Sequence, residues 1–181
     1  MTPVICMLRG VNVGGHAKIA MSELREICLS LKLRNPATYI QSGNVVFATN
    51  EADLTKLVSR IEAAIEKRLG FRPTVMLRTA QEMRDIISAN PFAKRSGLDP
   101  GKLVVSFLAA PLTADLSSRI AAIKVGPEEI RCANRELYIY FPDGQGRSKL
   151  PPVLERTAKI PATARNWNTV LKLLSMAEEH S

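Results

Sequence analysis

The groups best able to do chemistry crowd into one short segment, Arg9-Gly10-Val11-Asn12-Val13-Gly14-Gly15-His16-Ala17-Lys18. Glycines without side chains let a backbone approach a ligand with its amides turned outward. Arg9 and Lys18 add full positive charges that can form charge-assisted hydrogen bonds. The chemistry such a set suits is anion binding. His16 is the only acid–base group in the segment, and no Ser or Cys nucleophile is paired with it, so it is the sole catalytic candidate. Asn12, Gly14 and Gly15 also serve tight turns on their own account.

A second polar set, Gln41, Ser42 and Asn44, surrounds Gly43. A third, Arg165, Asn166 and Asn168, flanks Trp167; these residues either cap a helix or reach a ligand. The basic stretch Gly144-Gln145-Gly146-Arg147-Ser148-Lys149 misses the P-loop spacing and reads as an exposed loop. G-V-N-V-G-G matches neither that pattern nor the dinucleotide fingerprint. With His16 and His180 the only histidines, no zinc-type ligand set can be assembled. Neither a metal nor a cofactor is expected.

The elements that must position these groups follow from hydrophobic pattern. PVICMLR (3–9) is an apolar run fit for a central strand buried on both faces. Ser22 is a plausible cap for a helix carrying Leu24, Ile27, Cys28 and Leu31, which Asn35-Pro36 terminates. ATYIQ and VVFAT then form a hairpin across Ser42-Gly43-Asn44. Asn50 is the expected cap of a second helix striped by Leu54, Leu57, Val58, Ile61, Ile65 and Leu69, with Gly70 at its C-terminus. TVMLR (74–78) is a fourth strand.

That order is the βαββαβ, ferredoxin-like unit. In it strands 1 and 2 run parallel with strand 3 between them, so their C-terminal ends share one sheet edge. The 10–16 loop and the 42–44 hairpin should therefore be neighbours, beside the N-terminus of the first helix, whose dipole favours anions.

The second half opens on a capping box, Thr79 with Glu82, before Met83, Ile86 and Ile87. KLVVSFLA (102–109) is a strand, Leu116, Ile120 and Ile123 mark a helix, and EIRCA with ELYIYF form a hairpin. The polar segment 142–149 and a Pro-punctuated stretch to about 163 carry no element, and no last strand is evident. The final helix holds Trp167, Val170, Leu171, Leu174 and Ala177. The fold class is thus α+β, two ferredoxin-like domains in tandem, with boundaries at 1–79 and 80–181 and the second domain incomplete by pattern.

Composition limits the partners. The 181 residues carry a net charge of +8, and both halves are basic, which favours anionic partners. No run nears the roughly 18 to 20 apolar residues of a membrane span, and MTPVICMLRG, with no basic start and too short an apolar run, is not expected to act as a signal peptide. No membrane partner is expected. Cys6, Cys28 and Cys132 are odd in number and set in apolar segments, pointing to reduced thiols in the cytoplasm. RNA-recognition domains share the βαββαβ order but stack bases on aromatics of strands 1 and 3. Strand 1 here has none and strand 3 only Phe47, which disfavours that mode.

Together LRGVNVGG (8–15), TYIQSGNVVF (38–47), NPF (90–92) and ARNWNT (164–169) closely resemble the bacterial domain-of-unknown-function family 1697. The resemblance runs from about residue 3 to 177 and implies two ferredoxin-like domains. It implies no activity, cofactor or catalytic residue. In that family the last motif commonly reads TxRNWNT, and here Ala164 fills the variable place.

Three functions compete. The first is non-catalytic binding of an anion, a nucleotide or nucleic-acid backbone, at the edge formed by the 10–16 loop and the 42–44 hairpin. The second is an enzyme for a small phosphorylated or carboxylated substrate, anchored by Arg9 and Arg165 with His16 as proton carrier. The third is an interaction protein in which Arg9, Asn12 and Arg165 are structural.

Overall fold

The computed structural model describes residues 1–180. By spatial contact the chain divides into two units: Met1–Asp85, joined by the chain from Lys172 on, and Ile86–Leu171.

The first unit runs β1 (Thr2–Leu8), α1 (Met21–Ser30), β2 (Arg34–Tyr39), β3 (Asn44–Thr49), α2 (Leu54–Leu69), β4 (Val75–Thr79) and leads into α3 (Ala80–Ser88). Its sheet has the order β2-β3-β1-β4, every neighbour antiparallel. Alternation along the strands sends Val4, Cys6 and Leu8 of β1 toward the helices. There they pack with Val45, Phe47, Val75 and Leu77 against Leu24, Ile27 and Cys28 of α1 and Leu57, Ile61 and Ile65 of α2. Each such side chain contributes about 1.5–3 kcal/mol by leaving water. The intervening residues, Ile5, Met7, Val46 and Met76, are buried as well, which is why β1 shows an unbroken apolar run.

The second unit repeats this plan: β5 (Leu103–Leu108), α4 (Ala114–Ala121), β6 (Glu129–Cys132), β7 (Glu136–Tyr140), α5 (Leu150–Ala158), β8 (Ala162–Asn166), then α6 (Trp167–Glu178). A single 3-10 turn, Pro100–Lys102, precedes β5. The sheet order β6-β7-β5-β8 matches the first, and its helix-facing core joins Val104, Leu137 and Ile139 to Leu116, Ile120 and Leu154. The molecule is α+β, with two ferredoxin-like sheets in tandem.

Two elements of the second half escape the sequence pattern. Helix α5 lies inside the Pro-punctuated stretch, because Pro151 and Pro152 occupy its first turn, where a missing N–H costs nothing. Strand β8 exists at the sheet edge, but the side chains it buries are Thr163 and Arg165, so no apolar alternation announces it.

Two caps also differ from expectation. Ser22 lies within α1, whose cap position is Ala20, with no side-chain hydrogen bond. Helix α2 is capped by Asp53, which accepts from Lys56 N–H at 3.0 Å, and not by Asn50. Capping needs an extended backbone one residue before the first helical turn, and only the three-dimensional path decides which residue supplies it. The Thr79–Glu82 capping box forms in both directions, at 3.1 and 2.7 Å, and Gly70 ends α2 in the left-handed conformation.

Candidate functional site

The β1–α1 connection and the β2–β3 hairpin are locked together. Leu8 N–H donates to Gly43 O at 2.9 Å, continuing the β1–β3 ladder into the turn. Gly43 adopts φ +80°, and a Cβ there would meet Val11 Cγ2 at 2.5 Å and Leu8 Cβ at 3.0 Å. Glycine at 43 thus permits both the turn and the close approach. Asn12 Nδ2 donates to Gln41 O (2.8 Å) and Ile19 O (3.0 Å), while its Oδ1 accepts from Ile19 N–H (2.9 Å). One side chain pins the hairpin and both ends of its own loop.

Gly14 and Gly15 form the tip of a miniature hairpin. Val13 and His16 bridge, Asn12 N–H reaches Ala17 O at 3.1 Å, and both glycines have positive φ (62° and 77°), the signature of a type I′ turn. No atom lies within 4 Å of a Cβ built on either glycine. They are needed for dihedral angles and leave an exposed, unobstructed backbone.

The structure brings Asn12, Gly15, Lys18 and Gln41 together around a depression of about 490 Å³, completed by Ile19 and Ala20. Lys18 is exposed and forms no ion pair among the described residues. Ala20 leaves the first-turn amides of α1 without a capping side chain. Glu23 of that turn is drawn toward Arg68, 4.0 Å away. Ile19 and Ala20 were not among the expected site residues; the available signal was Glu23, three positions after Ala20, where an acidic N3 residue belongs.

Other expected residues stand apart from the depression. Asn44 is fully buried and donates to Tyr39 O (3.0 Å) and Ser42 Oγ (2.9 Å), closing the hairpin from within. Arg9 is half-buried at the end of β1, its N–H on Thr74 O at 2.9 Å. His16 is exposed at the foot of the glycine turn and does not line the depression.

Arg165, Asn166 and Asn168 belong to the second unit. Asn166 Oδ1 accepts from Thr169 N–H at 2.9 Å, capping α6. Arg165 is buried on β8, its Nη1 donating to Thr163 Oγ1 (2.6 Å) and Ala164 O (2.9 Å). Asn168 is exposed on α6. Arg165 has a counterpart: it pairs with Val105 as Arg78 pairs with Ile5, and Arg78 Nη1 likewise donates to the preceding carbonyl, Leu77 O, at 2.9 Å.

Thiol chemistry is suppressed. Burial pushes the Cys28 thiol up to about 12 and raises that of Cys132 too, which starves both of thiolate at neutral pH. No group of three His, Cys, Asp or Glu able to hold a metal occurs among the described residues, and no helix there is long and apolar enough to cross a membrane.

The family model of DUF1697, described as a protein of unknown function, matches residues 1–138. The chain belongs to the DUF1697 family. No curated protein matches it. Among solved structures it is similar to the conserved bacterial protein SP0830 from Streptococcus pneumoniae, at 22% identity and a TM-score of 0.77. The alignment covers 98% of this chain and 99% of that one, so the two share the whole double fold. For this DUF1697 chain the likeness speaks to the fold, and the ligand question returns to the geometry.

Proposed function

We propose that this DUF1697 protein is a non-catalytic binder of a phosphate-bearing anion, seated in the depression beside Gly15, Lys18 and the start of α1. The observation that carries the reading is the uncapped α1 N-terminus facing an unpaired lysine, in a fold whose second copy caps the equivalent helix. There Thr113 Oγ1 accepts from Leu116 N–H at 3.1 Å. An anion would take the place of the missing cap, drawing on the helix dipole and the open amides. The basic balance of the chain, +8, favours the encounter.

Binding is favoured over catalysis because His16 lies outside the lining and four of the six lining residues, Gly15, Lys18, Ala20 and Gln41, are exposed, whereas enzymes close polar groups around a substrate. A cytoplasmic setting is part of the proposal, consistent with three cysteines that form no disulfide.

The test is calorimetric titration with pyrophosphate, ATP and a short single-stranded oligonucleotide. Lys18→Ala should weaken the bound ligand by about tenfold, the worth of one charge-assisted hydrogen bond. It should leave stability within about 0.5 kcal/mol, as for an exposed surface residue. A nucleic-acid ligand will weaken steeply with added salt, a mononucleotide far less. If none of the three binds, or the Lys18 variant binds equally well, the reading fails.

A further inference from the structure

Two of the four motifs singled out in the sequence, NPF at 90–92 and the Trp167 segment, play no part in the anion depression. Within the second unit they meet. Asn90, Arg95 and Trp167 line a cavity of about 310 Å³ whose remaining walls include Ile87, Leu98 and Leu103. Phe92 also lines it, although some 75 residues of chain separate it from Trp167. A volume near 300 Å³ is at the small end of ligand sites.

The wall is braced by alternating cations and rings. Arg131 sits over Phe92 with its guanidinium carbon 5.5 Å from the ring centroid, Phe92 and Tyr140 lie 6.3 Å apart, and Arg95 covers Tyr140 at 5.5 Å. Each contact lies within the range of an attractive cation–π or aromatic pair. Arg95 also pairs with Glu129 through one Nη, which fixes the guanidinium while leaving most of its five N–H donors unused. Its position is set before any ligand arrives.

Asn90, Trp167 and Arg95 each keep side-chain donors unused. Asn90 Oδ1 is already occupied by Phe92 N–H at 3.0 Å, so the side chain presents its amide hydrogens. Trp167 is only half-buried, and its indole N–H has no hydrogen-bond partner among the described residues. Arg95 adds a charge. A cavity walled in part by two rings and furnished with unused donors fits a ligand that is flat on one side and acceptor-rich on the other.

We infer that this cavity is a second binding site, independent of the anion depression, for a small planar aromatic anion: a ring against Trp167 and Phe92, with a carboxylate or phosphate on Arg95 and Asn90. Tryptophan occurs once in the chain, so the site carries its own reporter. The probe is 2-naphthyl phosphate, titrated into the full chain while the single indole N–H cross-peak is followed by NMR. Inorganic phosphate and 2-naphthol supply the charge and the ring separately.

The cross-peak should move saturably with 2-naphthyl phosphate and by a smaller amount with either control. Arg95→Met removes the guanidinium while keeping an unbranched side chain, and should weaken binding about tenfold or more, the scale of a charge-assisted hydrogen bond. Ala93→Phe, at an exposed rim position of the cavity, should block binding while leaving the melting temperature near that of the parent. An unmoved indole peak at millimolar probe, an equal shift with inorganic phosphate, or parental affinity in Arg95→Met would each overturn the inference.

Discussion

The two ferredoxin-like units solve the same problem at the same sheet edge, with different amounts of chain. In the first, residues 9–20 connect β1 to α1; in the second, residues 109–113 connect β5 to α4. The closing bonds correspond one to one. Leu8 N–H to Gly43 O is matched by Leu108 N–H to Arg135 O, and Arg9 N–H to Thr74 O by Ala109 N–H to Pro161 O, all at 2.9 Å. The link from Asn12 Nδ2 to Gln41 O is replaced by a backbone bond, Leu112 N–H to Asn134 O, both 2.8 Å. The short version shows what the fold needs. The glycine turn, Lys18 and the open helix start are additions that the fold does not require, and on that surplus the proposed anion site rests.

The comparison can be broken most forcefully at Gly43. Gly43→Ala combines a left-handed backbone with a Cβ inside the radius of Val11 and Leu8, and should cost about 2–4 kcal/mol. Position 135 in the second unit holds an arginine at the matching bond, so the penalty belongs to the long connection alone. Chemical denaturation of the variant measures it, and a loss below about 1 kcal/mol would mean the hairpin and loop are not clamped as described.

Next in size is Asn12→Ala, which removes three hydrogen bonds at once and should cost about 1–3 kcal/mol. The second unit makes the corresponding link with its backbone, and no side-chain truncation can remove it there. Hydrogen exchange should show the loop from 10 to 20 opening in the variant while amides of β5 and β7 stay protected.

In the second unit, Tyr138 donates to Ile86 O at 2.6 Å from a buried position. Tyr138→Phe should cost about 1–2 kcal/mol at neutral pH, because the carbonyl loses its partner. Burial, helped by the nearby Glu136 carboxylate, raises the Tyr138 phenol from its ordinary 10 to about 12. Between those values the unfolded chain has lost the proton that the folded chain keeps. The phenol's contribution is therefore intact below pH 10 and lost as pH climbs toward 12. Thermal melts from pH 9 to 12 should show that decline in the parent and a shallower one in Tyr138→Phe.

The smallest effects, of opposite sign, come from the helix caps. Thr113→Ala should destabilise by about 1 kcal/mol, and Ala20→Ser should stabilise by a comparable or smaller amount. The second change gives α1 the cap that α4 already has. If the open start of α1 is where the anion binds, Ala20→Ser must also weaken that ligand. Greater stability with undiminished affinity would separate the helix start from the site.

Much of this protein was legible in its residues. Continuous or alternating apolar runs marked β1, β3, β5 and β7, and helical spacing marked α1, α2, α4 and α6. Once the βαββαβ order was read, the meeting of the glycine loop with the Ser42-Gly43-Asn44 hairpin followed from strand direction, and Asn12 Nδ2 on Gln41 O is that meeting made visible. Periodicity and topology are local or combinatorial properties, and the chain carries both explicitly. Tertiary structure alone decided the rest. β8 was hidden because an edge strand can bury Arg165 and Thr163 when the surrounding fold satisfies them. α5 was hidden because the meaning of Pro151-Pro152 depends on whether a helix begins there. Whether Ala20 or Ser22 precedes the first helical turn, and whether Asn90 and Trp167 share a cavity, are questions of chain path and distance. No spacing in a linear sequence encodes those.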